Sequence, residues 1–183
     1  MIVCAGNNES FSFATPIGIG LINSSINLTK ILMETKVDKI LFAGSAGSYG
    51  KIKEFDIVTS SSATNVEIGF FENLSYTPVL EQIRGIKTDV SRGTLPKVVV
   101  NSSSFITSDE AQSRLFLKHG LAIENMEFFA VLKVAQEFGI PAFGVFCITN
   151  MCDKNAHENF IKNHENAKIF LENNLLLNFK EYL

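Results

Sequence analysis

The run Ala142-Phe143-Gly144-Val145-Phe146-Cys147-Ile148 constrains this chain more than any other stretch of it. It is almost wholly apolar and does not alternate, so a strand formed by it must be covered on both faces. Such a strand belongs at the centre of a parallel or mixed sheet with helices on either side. Lys39-Ile40-Leu41-Phe42-Ala43 is a second apolar run, and it stops abruptly at Gly44. The expected fold is therefore α/β, a three-layer sandwich with a central mixed β-sheet, built as one domain over residues 1–183. A chain of that length buries roughly 70% of its unfolded surface, so no staple is required.

The remaining pattern fits around those two strands. Met1 to Ala5 reads as a first strand closed by Gly6-Asn7-Asn8, and a second strand near Phe11 to Ile17 leads into Gly18-Ile19-Gly20. Leu21, Leu28, Ile31 and Leu32 carry helical spacing across Leu21 to Lys36. Glu54 to Val58 is a further strand, and Ser60 to Thr64 reads as a polar loop. Asn73 to Pro96, with two prolines and two glycines, is the least regular part, expected as loop with short strands at the sheet edge. Val98 to Val100 resumes the core and Asn101 to Ser104 turns sharply. Ser108-Asp109-Glu110 then caps a helix over Ala111 to His119, closed by Gly120. Met126 to Phe138 predicts a buried helix ended by Gly139 and Pro141, and Asn155 onward predicts a C-terminal helix.

Composition removes several classes of function. A net charge of −3 with scattered lysines lacks the basic face that nucleic acid requires. Cys4, Cys147 and Cys152 form an odd set without a C-x-x-C spacing, which suits reduced core thiols in a cytoplasmic chain. No run approaches the ~18 apolar residues of a membrane span, and the first residues lack a basic segment, so no membrane partner is expected. His119, His157 and His164 are too dispersed for a metal triad. Gly18-Ile19-Gly20 has Asn23 where a dinucleotide motif needs its third glycine.

In open α/β sheets, sites form beyond the carboxyl ends of strands. That points to the segments after Ala43, Val100 and Ile148 and to Ile123-Glu124-Asn125-Met126-Glu127. Glu127 heads an apolar helix. It is either a chemical centre or a helix-terminal carboxylate pairing with backbone amides.

The order Lys39-Ile40-Leu41-Phe42-Ala43-Gly44-Ser45-Ala46-Gly47, Phe105-Ile106, Asn125-Met126-Glu127, Phe138-Gly139-Ile140-Pro141 resembles the nucleoside phosphorylase and nucleosidase superfamily. It is most similar to the hydrolytic branch that includes futalosine hydrolase and methylthioadenosine/S-adenosylhomocysteine nucleosidase. The resemblance runs from about Ile17 to Phe170 and implies a cofactor-free N-glycosidase acting on a purine nucleoside. It implies that Glu127 holds ribose hydroxyls, stabilising the positive charge that builds on the sugar as the bond breaks. Met126 would lie under the sugar, with Asn125 beside it. Ser45, Ala46 and Gly47 would form a small-residue turn admitting sugar and nucleophile, while Phe105, Ile106 and Phe160 would enclose the base. A homodimer whose neighbour closes the pocket is also implied, with Ile68, Phe70 and Phe71 as candidates for that contact.

Three positions depart from the family pattern. Asn150 stands where adenine-directed members have an aspartate that protonates the base; its amide can donate to N7 and to a 6-oxo group but cannot act as an acid. A 6-oxopurine nucleoside such as futalosine is therefore the expected substrate. Phe146 occupies the place of a family arginine. Glu9 lies near the place of the glutamate that activates water, at a different spacing. No arginine accompanies Gly44 to Gly47, which favours water over phosphate as nucleophile. Two alternatives remain beside hydrolysis: a degenerate relative that binds nucleosides or serves as a structural partner without turnover, and a phosphate-dependent purine nucleoside phosphorylase.

Overall fold

The computed structural model describes residues 1–79, 82–86 and 95–182. In chain order its elements are β1 (Ile2–Cys4), β2 (Thr15–Pro16), α1 (Gly20–Glu34), β3 (Ile40–Ser48), β4 (Ile57–Ser60) and β5 (Ser62–Thr64). Then follow α2 (Ile68–Phe71), β6 (Gln82–Arg84), β7 (Val100–Asn101), α3 (Glu110–Lys118), β8 (Ile123–Glu124), α4 (Phe128–Glu137), β9 (Ala142–Met151) and α5 (Ala156–Asn178).

The two apolar runs are the spine. β3 and β9 pair in parallel along their whole length, from Ile40 opposite Ala142 to Ser48 opposite Met151, with a bulge between Ala46 and Gly47. The other edge of β3 is shared: β1 pairs with its first half in parallel, and β8 pairs antiparallel with Gly47 and Ser48. From β8 the ladder continues through β7 and β5 to β6, while β9 pairs on its far side with β4. Only Ser61 separates β4 from β5, so the mixed sheet curls back on itself.

Both faces are covered. Leu28 and Leu32 of α1 and Val131, Leu132 and Ala135 of α4 share one apolar cluster with Ile40, Phe42 and Phe146. On the other face Leu41, Ala43, Val145 and Cys147 meet Ala167, Leu171 and Leu175 of α5. Alternate residues of β3 and β9 therefore feed opposite clusters, the arrangement expected of a centrally buried pair. Gly144 is required here by close approach. A Cβ on it would lie 2.5 Å from the ring of Phe146 and 2.8 Å from that of Phe128, so the missing side chain admits the Phe42, Phe128 and Phe146 cluster.

Several boundaries differ from the sequence expectation. Gly44 to Gly47 is strand rather than turn, because its backbone remains paired with β9 and then also with β8. Ser62 to Thr64 likewise forms a strand between β6 and β7 rather than a loop. Of Phe11 to Ile17 only Thr15 and Pro16 are strand, and the helix expected from Met126 begins at Phe128. Asn101 belongs to β7, so the turn starts at Ser102. Within Asn73 to Pro96, Gln82 to Arg84 supplies the expected edge strand, and 80–81 and 87–94 lie outside the described residues. The helix-end expectations agree more closely. Asp109 accepts hydrogen bonds from the amides of Ala111 and Gln112. Gly139 (φ 68°) closes α4 with Ile140 N bonded to Ala135 O at 2.8 Å and Gly139 N to Gln136 O at 3.1 Å, a Schellman ending.

Candidate active site

The carboxyl ends of β3, β8 and β9 open into a cavity of about 640 Å³. The turn after β1, the loop after β7, Ile19 just before α1 and the first residues of α5 complete its wall. All eleven residues singled out from the sequence line it: Glu9, Ser45, Ala46, Gly47, Phe105, Ile106, Asn125, Met126, Glu127, Asn150 and Phe160.

Glu9 is brought there by a tight turn. Gly6 (φ 93°) and Asn7 (φ 53°) take left-handed backbone, and Glu9 N donates to Gly6 O at 3.0 Å, a geometry that glycine and asparagine tolerate. The residue is half-buried, with its carboxylate turned inward against Ser45, whose hydroxyl donates to Glu9 Oε1. Burial pushes its pKa up, and the Ser45 hydrogen bonds oppose that shift.

Asn125 organises the opposite wall. Its Oδ1 accepts from Glu127 N and Phe128 N, both at 2.9 Å, which caps α4. Its Nδ2 donates to Ser45 O at 3.1 Å, tying the head of α4 to β3. Glu127 is thereby held 3% exposed. Its Oε1 accepts from Gly20 N at 2.9 Å, so the carboxylate sits at the N-terminus of α1, where the helix dipole favours an anion. Burial and then the nearby Glu9 charge nevertheless push Glu127 up to about 7. The two carboxylates thus resist ionising together near neutrality.

The far end of the cavity is built on Gly47, which pairs with Glu124 of β8 on one side and with Asn150 of β9 on the other. A Cβ on Gly47 would lie 3.1 Å from Asn150 Nδ2, 3.3 Å from Glu124 Cγ and 2.8 Å from Cys152 Sγ. Glycine is required here so that these side chains can converge. Asn150 Oδ1 accepts from the Thr149 hydroxyl at 2.8 Å and Nδ2 donates to Met151 O at 3.0 Å. That contact uses one of the two N–H groups of the amide. Glu124 is 9% exposed and accepts from Thr107 N at 3.0 Å, which anchors the Phe105-Ile106 loop.

Phe105 is 77% exposed and Ile106 55%, so they form a rim rather than a wall. Phe160 stacks on His164 with ring centroids 5.5 Å apart. Phe146, in place of the family arginine, is fully buried in the aromatic core. Ile68 and Phe71 pack within the chain around Phe116, while Phe70 is 37% exposed. Among the described residues, no lysine or arginine lines the cavity.

Sequence reasoning missed Gly20, Ile19, Ser103, Thr149 and His157, and it assigned no role to Glu124. The Gly20 contact joins residues 107 positions apart, so no local signal carries it. Asn7 and Asn8 could have been found, since they adjoin Glu9 in the turn that aims it.

Residues 2–177 match the phosphorylase superfamily. Among relatives, the aminodeoxyfutalosine nucleosidase of Helicobacter pylori (strain J99) is 26% identical over 159 residues, covering 78% of this chain and 68% of that protein. The 5'-methylthioadenosine/S-adenosylhomocysteine nucleosidase of Thermotoga maritima is 23% identical over 186 residues, covering 94% and 79%. In three dimensions the chain superimposes on a Helicobacter pylori 5'-methylthioadenosine/S-adenosylhomocysteine nucleosidase crystallised with butyl-thio-DADMe-Immucillin-A. The TM-score is 0.84 at 18% identity, covering 98% of this chain and 97% of the other. That likeness shows the expected nucleoside phosphorylase-type fold.

Proposed function

The chain belongs to the phosphorylase superfamily, and from that premise we propose that it hydrolyses the base–ribose bond of a purine nucleoside, with water as nucleophile. The observation that carries this reading is the pairing of Glu9 and Glu127 across one cavity that no lysine or arginine lines among the described residues. Phosphate is a dianion and needs fixed positive charge, whereas a water molecule needs only a base and a path to the anomeric carbon.

Glu9, oriented by Ser45, takes a proton from the water. Glu127 holds the ribose hydroxyls over Met126, and the positive charge developing on the sugar favours its carboxylate form against burial and the Glu9 charge. The remaining N–H of Asn150 donates to the 6-oxo oxygen of the base, an acceptor that a 6-aminopurine lacks, which favours a 6-oxopurine nucleoside such as futalosine. Phe105, Ile106 and Phe160 flank the base. Asn125 acts as a positioning residue that fixes Glu127 against β3.

The test is base release from inosine, futalosine and methylthioadenosine followed chromatographically. Release from at least one of them is expected, with the 6-oxopurines ahead and with no dependence on added phosphate. Silence on all three sinks the reading. In that case, thermal stabilisation by the same nucleosides would support binding without turnover, the reading favoured by Asn150 and Phe146 standing where the family pattern has an acid and an arginine.

A further inference from the structure

Hydrolysis of a purine nucleoside leaves a difficult anion unless the departing base is protonated, and Asn150 cannot supply that proton. We propose that Glu124 does so: its carboxyl proton passes to a ring nitrogen of the leaving purine, making it the acid partner of Glu9. This rests on the hydrolytic reading above.

Geometry carries the assignment. Glu124 of β8 and Asn150 of β9 lie on the strands either side of β3, both opposite Gly47 and both lining the cavity, and a Cβ on that glycine would lie 3.1 Å from Asn150 Nδ2 and 3.3 Å from Glu124 Cγ. A group placed to touch the part of the base that Asn150 reads is therefore also within reach of Glu124. The carboxyl also holds Thr107 N, directly after Phe105 and Ile106, which puts it at the base end of the cavity and away from the Glu9–Glu127 end.

Its surroundings suit a carboxyl that keeps its proton until it is needed. The polar groups facing it are the hydroxyl and N–H of Thr107, the Tyr49 hydroxyl just after β3 and the Cys152 thiol beyond β9, with the Asn150 amide across Gly47. None of these carries a positive charge that would favour the carboxylate. Burial pushes its pKa up and outweighs the hydrogen bonds from Thr107, Tyr49 and Cys152, which oppose that shift.

The step balances. Water oxygen bonds to the anomeric carbon as the carbon–nitrogen bond breaks, and the electron pair of that bond leaves with the base. Glu124 gives that base a proton, while Glu9 accepts one from the water. The products are free sugar and neutral base, and exchange with solvent returns both carboxyls to their starting states.

The test compares inosine, whose base must be protonated to leave well, with 4-nitrophenyl β-D-ribofuranoside, whose phenolate leaves unaided. Glu124→Gln keeps an acceptor for Thr107 N but has no proton to give. The ratio of inosine to nitrophenyl riboside hydrolysis should fall about 100-fold or more in that variant, the range of a lost general acid. In the unmodified enzyme, kcat for inosine should drop on the alkaline side while kcat for the nitrophenyl riboside stays level. An equal loss on both substrates, or the same alkaline limb for both, overturns the proposal and leaves Glu124 as an anchor for the 105–107 loop. Nitrophenyl riboside cleavage by the unmodified enzyme without any release of base from inosine overturns it as well. Inactivity of the unmodified enzyme on both substrates and on futalosine and methylthioadenosine overturns the hydrolytic reading itself.

Discussion

Glu127 answers to two opposed demands. The sugar cation wants a carboxylate, yet burial and Glu9 hold its pKa near 7. Glu127→Gln should keep the contact with Gly20 N but lose the charge, lowering kcat by about 100- to 1,000-fold, the scale of one lost transition-state contact. The same substitution should stabilise the fold under alkaline conditions. A carboxyl whose folded pKa lies above its unfolded value of 4.5 contributes stability that is fully present below 4.5 and is lost as pH rises through about 7. Melting curves of Glu127→Gln and the unmodified protein should therefore converge below about pH 4.5, diverge as pH rises to about 7 and keep a constant gap above it, with the variant higher by at most about 3 kcal/mol. A variant that melts lower at pH 8 would show that Glu127 is not a destabilising charge. At the base end, Asn150→Asp should raise the ratio of methylthioadenosine to inosine hydrolysis, since a protonated aspartate can donate to N7 of a 6-aminopurine. An unchanged ratio removes Asn150 from the base site.

Among the elements, β9 and α4 depend on two glycines for different reasons. Gly139→Ala places a Cβ on left-handed backbone in open space and should cost about 1 kcal/mol. Gly144→Ala drives a Cβ into the rings of Phe146 and Phe128 and should cost about 2 to 3 kcal/mol as overpacking. Denaturant midpoints that ranked the two the other way would contradict the close packing described at Gly144. The helix ends were legible because their signals are local: Asp109 and Gly139 each act within a few residues of where they stand. The apolar centres of β3 and β9 were legible from hydrophobicity alone. What escaped was the continuation of β3 through Gly44-Ser45-Ala46-Gly47, residues of low strand propensity that are held extended by β8 and β9, both encoded far downstream. The site had the same division. Glu9, Glu127 and Asn150 could be named, but the placement of Glu124 opposite Asn150 exists only once Gly47 lies between them.

At the scale of the whole molecule, the cavity is rimmed by Phe105 and Ile106, both largely exposed. A second copy covering that rim is the arrangement the family resemblance implies, and sedimentation at micromolar concentration should report twice the mass of one chain. A monomer with full activity would remove the partner from the site. The parallel pairing of Ile40–Ser48 with Ala142–Met151 has a consequence for how the chain comes into being. During synthesis the most apolar strand of the N-terminal half must wait for a partner from the last quarter of the sequence. Contacts of such sequence separation form late and slowly, and until they do, one edge of β3 remains open to other chains. Nascent or truncated forms ending before Ala142 thus leave that edge of β3 exposed, and in the finished sheet β9 closes it.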